Sequence, residues 1–420
     1  MSADLTPVQQ LQADLGVEFY EWDGWPWPSN FGNPVEEYLA PRNGVGIVEN
    51  SGLRKWELRG PDALRAADMI VTQDLSDMPV GRVHYTPVAN EEGMALDDIT
   101  VFHLENDRVM LVSGLLSSEA HFRSVADGFD LELVPMSDER AGVQIQGPLS
   151  RDVVGRVTDA DLGRLGYFHC THAVVGGEEC ILSRTGYSGE LGYEIFASPV
   201  AVANVWTALL EAGAEFGIRP YGLEAADYLR VESGLIFVTF DYQPGELSPY
   251  EIGLGWAVKL DKGDFVGKDA LTRLANEPPR RKIVGIALEG DEVPDPESVV
   301  EHEGAPVGAI TVAVASAVLD RVIALAVVDG SAADAARGFG SGTPTARWPR
   351  CPSTTPNGSG RAPSCAASSS AGRRAGSRRP SPRPCRRRGR RRPSRPCPRT
   401  ASPGRPSRSP CRATGSPPGS

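Results

Sequence analysis

A chain of 420 residues exceeds what a single hydrophobic core accommodates, since cores stop growing near about 250 to 300 residues, so two or more packed units are expected. The net charge of −11 conceals a split. All 54 acidic side chains lie at or before Asp334, whereas 20 of the 43 basic ones are arginines between positions 337 and 412. An acidic body repels nucleic acid and anionic membrane, so neither is expected as its partner, and a ligand must be neutral, cationic, or met by a locally basic pocket.

Only Cys170 and Cys180 fall in the body, and the five cysteines of the arginine-rich segment form no C-x-x-C pair, so neither a disulfide framework nor a zinc site is expected. No basic segment followed by an apolar run opens the chain. The longest apolar stretch, residues 307–319, is too short to span a bilayer. The reading is a cytoplasmic protein with no metal.

In chain order, a short polar helix is followed by Tyr20-Glu-Trp-Asp-Gly-Trp-Pro-Trp-Pro28, read as a stiff surface loop. Strands are predicted at 55–59, 100–104 and 108–112, with helices at 61–71 and 117–128. A similar layout returns with strands at 142–145 and 178–183 and helices at 199–217 and 221–234. After Pro278-Pro279, the segments 283–288, 307–314 and 321–328 read as strands of a small β unit. The class is α+β, with lobes at 1–140 and 141–278, a truncated β domain at 279–335 and a disordered basic tail at 336–420. Arg, Pro, Ser, Gly, Ala, Thr and Cys make up nearly all of that tail, too little apolar surface to order a chain. Arg, Pro, Gly and Ala share GC-rich codons, so an out-of-frame reading of the gene is a second account of it.

Three segments could carry chemistry. In Gly93-Met-Ala-Leu-Asp-Asp98 a glycine turn leads to paired carboxylates, of which only one can face a pocket if they lie on a strand. Beside a bound amine, that carboxylate could stabilise developing positive charge; otherwise the pair is a solvated turn. In Arg184-Thr-Gly-Tyr-Ser-Gly-Glu-Leu-Gly-Tyr-Glu194, glycines at three-residue spacing imply a tight loop joining two strands, without the spacing of a dinucleotide fingerprint or a P-loop. From Pro244 to Lys268, prolines and glycines fix a loop feeding a Trp256-containing strand. His169-Cys-Thr-His172 lacks metal-ligand spacing and reads as a surface pair.

Taken in order with Gly24-Trp25, Arg59-Gly-Pro-Asp-Ala63, Ile145-Gln-Gly-Pro148, Gly253-Leu-Gly-Trp256 and Asp264-Phe-Val-Gly-Lys268, these segments resemble the aminomethyltransferase (glycine-cleavage T-protein) family over roughly residues 15–330. The resemblance implies a three-domain ring whose central channel holds a reduced pterin, with tetrahydrofolate as acceptor. It implies that Asp98 is catalytic and that Tyr85, Tyr187 and Glu194 contact the pterin. The implied reaction moves an aminomethyl group from a lipoylated carrier protein to tetrahydrofolate, with release of ammonia.

The sequence departs from that pattern in several places. Ala226 stands where the family has a ligand-binding arginine, and a methyl group cannot replace a guanidinium. Glu49-Asn-Ser-Gly-Leu53 replaces Asp-Val-Ser-His-Met, and the loop at 237–249 is about two residues longer. The family's last strands and a ligand-contacting tyrosine have no counterpart in the tail. Two alternatives therefore stay open: demethylation of a small O-, N- or S-methylated donor to tetrahydrofolate, and a non-catalytic folate-binding protein.

Overall fold

The computed structural model describes residues 5–336, and the arginine-rich tail lies outside them. A helix at Pro7–Ala13 opens the described chain, its first turn closed by a reciprocal cap between Thr6 and Gln9. The tryptophan-rich segment, expected as a loop, is instead an antiparallel hairpin, Phe19–Trp22 with Trp25–Pro28. Asp23 and Gly24 both take positive φ (49° and 70°), which gives the two-residue turn whose twist matches paired strands. The prolines are tolerated because a two-stranded ribbon leaves edges that need no donor.

The first lobe is a five-stranded antiparallel sheet, in the order Val83–Ala89, Ala95–Glu105, Arg108–Ser113, Arg54–Arg59, Glu132–Pro135. Helices Ala63–Ile70 and Ser118–Ala126 cover one face. Trp56, Leu58, Ile70, Val101, Leu111 and Phe122 form the core between sheet and helices. The helix at 63–70 keeps alanines at 63, 66 and 67 on its buried side, so backbone and sheet approach closely.

The second lobe is a six-stranded sheet, in the order Cys170–Val175, Glu178–Ser183, Gly192–Ala197, Ala141–Gln146, Gly46–Glu49, Arg219–Pro220. Its fifth strand comes from the N-terminal part of the chain and carries the run Glu49-Asn-Ser into this sheet. Helix Pro199–Gly213 buries Val202, Val205, Trp206 and Leu209 against Val143, Ile145 and Ile195. Phe102 and Met110 of the first sheet meet Ile181 and Phe196 of the second, the two phenylalanine rings edge to face at 5.7 Å. The lobes thus share an apolar seam in which each fully buried side chain is worth about 1.5–3 kcal/mol.

A four-stranded antiparallel sheet follows, Arg281–Ala287, Arg321–Asp329, Ala305–Ser316 and Val299–His302 in spatial order. It leans on helix Leu223–Ser233, where Ser316 Oγ donates to Glu232 at 2.6 Å, and on helix Pro34–Asn43, where the Val318 amide donates to the Tyr38 hydroxyl at 3.0 Å. The mixture of sheets and helices is α+β. Trp256, expected on a strand, sits in a 3-10 turn at Gly255–Ala257, because the amides of Ala257 and Val258 bond back to Leu254 and Gly255 rather than to a neighbouring strand.

Candidate active site

Asp97 and Asp98 lie within the strand Ala95–Glu105 and not in a turn, so the pleat sends them to opposite faces. Asp97 is fully buried on the helix side. One oxygen takes the hydroxyls of Ser113 and Ser118, at the end of the next strand and the start of a helix, and the other takes the Asp98 amide at 2.8 Å. This carboxylate fastens sheet to helix. Burial pushes it up to about 6 against the pull of its serine donors.

Asp98 faces the other way and is half-buried, keeping accessible surface in a densely packed setting. The Tyr85 hydroxyl donates to Oδ2 at 2.6 Å and the Tyr242 hydroxyl to Oδ1 at 2.5 Å. Burial first, and then the charge of Asp97, raise its carboxyl to about 7, while the two hydroxyls pull it down. A group poised there exchanges its proton near neutral pH, and as a carboxylate it has one lone pair per oxygen left for a ligand N–H.

Tyr187 comes from the glycine-spaced loop, which joins two antiparallel strands of the second sheet as expected. The spacing has a packing cause: a Cβ on Gly186 or on Gly192 would lie 2.2 Å from the buried Gln146 amide, which Ser188 Oγ also meets at 2.6 Å. The Tyr187 hydroxyl donates to the Ile236 carbonyl. Burial, followed by the charges around it, including that of Asp98, shifts the phenol, and the net direction is well upward. Tyr85 and Tyr242 are shifted the same way, by burial and then by Asp98. Three neutral phenols therefore stand within electrostatic reach of one carboxylate.

Glu194 is set in a different environment. Its Oε1 accepts from Asn50 and Gln144, each at 2.9 Å, and its Oε2 accepts from Thr185, which leaves one lone pair unused. Lys55, fully buried and donating to the carbonyls of Ser51 and Leu53, supplies a nearby positive charge. Burial still raises the Glu194 carboxyl, and it lowers Lys55 to about 7.

Asp98, Tyr85 and Tyr187 are thus brought together, whereas Glu194 is held by its own network. Sequence reasoning missed Tyr242, whose only signal was its place in the lengthened loop. It also missed Arg230, whose guanidinium is buried between Asp227 and Asp241 four residues beyond Ala226. Ala226 itself packs beside the stacked rings of Tyr38 and Tyr228.

A second feature is an open recess of about 380 Å³ lined by Asp74, Ser76, Arg82, His84 and His169, among others. Burial and Arg82 push His84 down to about 4, so its imidazole is neutral, and the lining mixes both charges without a common target. The chemistry is better placed at Asp98, where a carboxylate near neutrality meets hydroxyl donors. Among the described residues no cluster of His, Cys, Asp or Glu is arranged to hold a metal, and no helix is long and apolar enough to cross a membrane. Cys170 and Cys180 are free, and burial pushes both thiols up to about 12.

A family model described as the GCVT N-terminal domain matches residues 8–262, and one described as the glycine cleavage T-protein C-terminal barrel domain matches residues 281–345. The chain belongs to the glycine cleavage T-protein family. An aminomethyltransferase of Halothermothrix orenii is 36% identical over 308 residues, covering 73% of this chain and 86% of that protein. One of Symbiobacterium thermophilum is 37% identical over 333 residues, covering 77% and 88%. The crystal structure of the glycine cleavage system aminomethyltransferase T from Bartonella henselae superposes with a TM-score of 0.72 at 25% identity, covering 77% of this chain and 90% of that one. The two-lobe fold with a C-terminal barrel domain is that of the T-protein family, and these relatives are aminomethyltransferases, which transfer one-carbon groups.

Proposed function

We propose that this T-protein family member transfers an aminomethyl one-carbon unit from a lipoylated carrier protein to tetrahydrofolate, with Asp98 as the catalytic carboxylate. The observation that carries the reading is Asp98 itself: half-buried, raised to about 7, and held by two tyrosine hydroxyls while retaining lone pairs. Tetrahydrofolate, when bound, supplies the nucleophilic nitrogen that accepts the one-carbon unit. Asp98 accepts an N–H from the reacting amine and stabilises positive charge that develops beside it, an interaction strengthened where water is excluded. Tyr85 and Tyr187 would line the pterin.

Glu194 fits the reading in part. One lone pair on Oε2 can take a pterin N–H, and a second contact requires Asn50 or Gln144 to give way. Lys55 helps keep that carboxylate charged. A second reading, demethylation of a small methylated donor, draws on Ala226, which removes an expected guanidinium, and on the aromatic loop around Phe237 and Phe240, whose rings stack at 4.9 Å.

Thermal melts with and without tetrahydrofolate test the acceptor, because a ligand that binds only the folded state raises its stability, by about 2.7 kcal/mol at a hundred times Kd. Turnover with tetrahydrofolate and either an aminomethyl-loaded lipoyl carrier or methylamine and methoxyarene donors separates the two readings. Turnover of neither, with no shift in the melt, removes both.

A further inference from the structure

We propose that Tyr242 is a positioning residue for Asp98, and that the third domain holds it in place through Thr311 and Asp241. This deepens the reading of Asp98 as the catalytic carboxylate and rests on it. Tyr85 alone would leave that carboxylate one restraint. Pro87 is the direct partner of Asp98 in the ladder, so Tyr85, two residues away, reaches it as a diagonal neighbour on the same sheet face. A carboxylate held at one oxygen still turns about its last side-chain bond. The second hydroxyl, 144 residues further along the chain, fixes the plane of the group and with it the direction of the remaining lone pairs.

What places Tyr242 is its neighbour. Asp241 is 1% exposed and accepts the Phe237 amide at 2.8 Å, the Arg230 guanidinium at 2.6 Å and the hydroxyl of Thr311. The Tyr242 carbonyl takes the Thr239 amide at 2.8 Å, and the Thr239 hydroxyl takes the Trp22 indole N–H at 3.0 Å. The loop is therefore tied from the second lobe, the N-terminal hairpin and the third domain.

Thr311 is the decisive tie, because of how its strand is built. In the pairing of Ala305–Ser316 with Arg321–Asp329, Ile310 faces Ala326 and Val312 faces Leu325, so Thr311 is the extra residue of a bulge. A bulge bends its strand and re-aims one side chain, and here that side chain reaches Asp241. Among the described residues the third domain donates no side-chain hydrogen bond to Asp98, yet it sets the loop that does.

The charged and titratable groups facing Asp98 are Asp97 on its own strand, Tyr85 on the next, Tyr187 from the second lobe, and Asp241 and Tyr242 from the loop. Replacing Tyr242 by Phe removes one donor to the charged form and should raise the Asp98 midpoint by about one unit, tenfold in its proton affinity. The test titrates Asp98 by carbon NMR of the full chain carrying carboxyl-labelled aspartate, with Asp98→Asn for assignment, alongside the pH profile of kcat.

In Tyr242→Phe both midpoints should move up, while KM for tetrahydrofolate stays within about threefold, since the substitution leaves the ground-state contacts of the ligand in place. Thr311→Val should move both the same way by less, and Thr311→Ser should restore them. An unmoved NMR midpoint in Tyr242→Phe overturns the proposal, as does an unmoved one in Thr311→Val should the first variant not fold. An NMR shift in an enzyme that turns over no folate would instead sink the proposed function and leave the positioning intact.

Discussion

The guanidinium of Arg230 and the carboxylate of Asp241 pair at 2.6 Å with side chains 1% and 0% exposed, joining helix Leu223–Ser233 to the loop that follows it. Arg230 also bonds Asp227 at 2.6 Å, and its third nitrogen, Nη2, has no partner. Removing one member of such a pair strands the other charge in a medium that cannot solvate it. Asp241→Ala is therefore expected to cost about 3–5 kcal/mol in urea unfolding. A loss under about 1 kcal/mol would show that Asp227 and water suffice to hold Arg230, and that the loop is anchored elsewhere.

Asp98 should trade stability for activity. Its carboxyl rises from 3.8 free to about 7 in the folded chain, so the folded state holds the proton more tightly. The sign follows: its contribution favours folding fully below about pH 3.8 and is lost as pH climbs through 7. Asp98→Asn, which has no charge to bury, should melt higher than wild type at pH 8, by about 1–2 kcal/mol after allowing for the accessible edge of the group. The gap should close toward pH 4. A variant less stable than wild type at pH 8 contradicts this account.

The same substitution should nearly abolish turnover. An amide in that place neither carries charge nor accepts a proton, and loss of such a group typically slows a reaction by about 10²–10⁴-fold. Tetrahydrofolate binding, followed by the thermal shift, should survive. Undiminished kcat in Asp98→Asn would remove Asp98 from the mechanism.

In wild type, kcat should fall on the acid side with a midpoint near 7, because protonation removes the charged form of Asp98. A flat profile from pH 6 to 8.5, with chemistry rate-limiting, would mean that its ionisation does not matter.

Gly192→Ala tests the packing reason for the glycine-spaced loop. The new Cβ would meet the buried Gln146 amide at 2.2 Å, so that side chain must move and release Ser188. Overpacking of this kind costs about 1–3 kcal/mol. Because Tyr187 rides on the same loop, folate affinity should fall as well. An equally stable variant with unchanged affinity would show that the loop absorbs the methyl group.

Much of the frame was legible beforehand because hydrophobic period is a local property. The strand at Glu178–Ser183 has the bounds read from sequence, and those at Arg54–Arg59, Arg108–Ser113 and Arg321–Asp329 differ by a residue. Errors arose where turn chemistry competed with composition: the prolines at 26 and 28 argued for a loop, whereas Asp23-Gly24 made a hairpin. Trp256 was read as part of a strand, yet the amides of Ala257 and Val258 close a 3-10 turn on Leu254 and Gly255 instead.

By itself, the sequence determined only that two carboxylates at 97 and 98 would point opposite ways if they lay on a strand, because alternation along a strand needs no tertiary information; that they do lie on one was decided by the fold. The sequence could not decide which of them would be consumed in fastening a helix and which would stay available. That depended on Ser113, Ser118, Tyr85 and Tyr242 converging from separate parts of the chain. The partners of Asp98 are set by long-range packing: a bulge at Thr311 and a buried pair at Arg230 deliver a tyrosine from 144 residues away, and no local pattern encodes such a meeting.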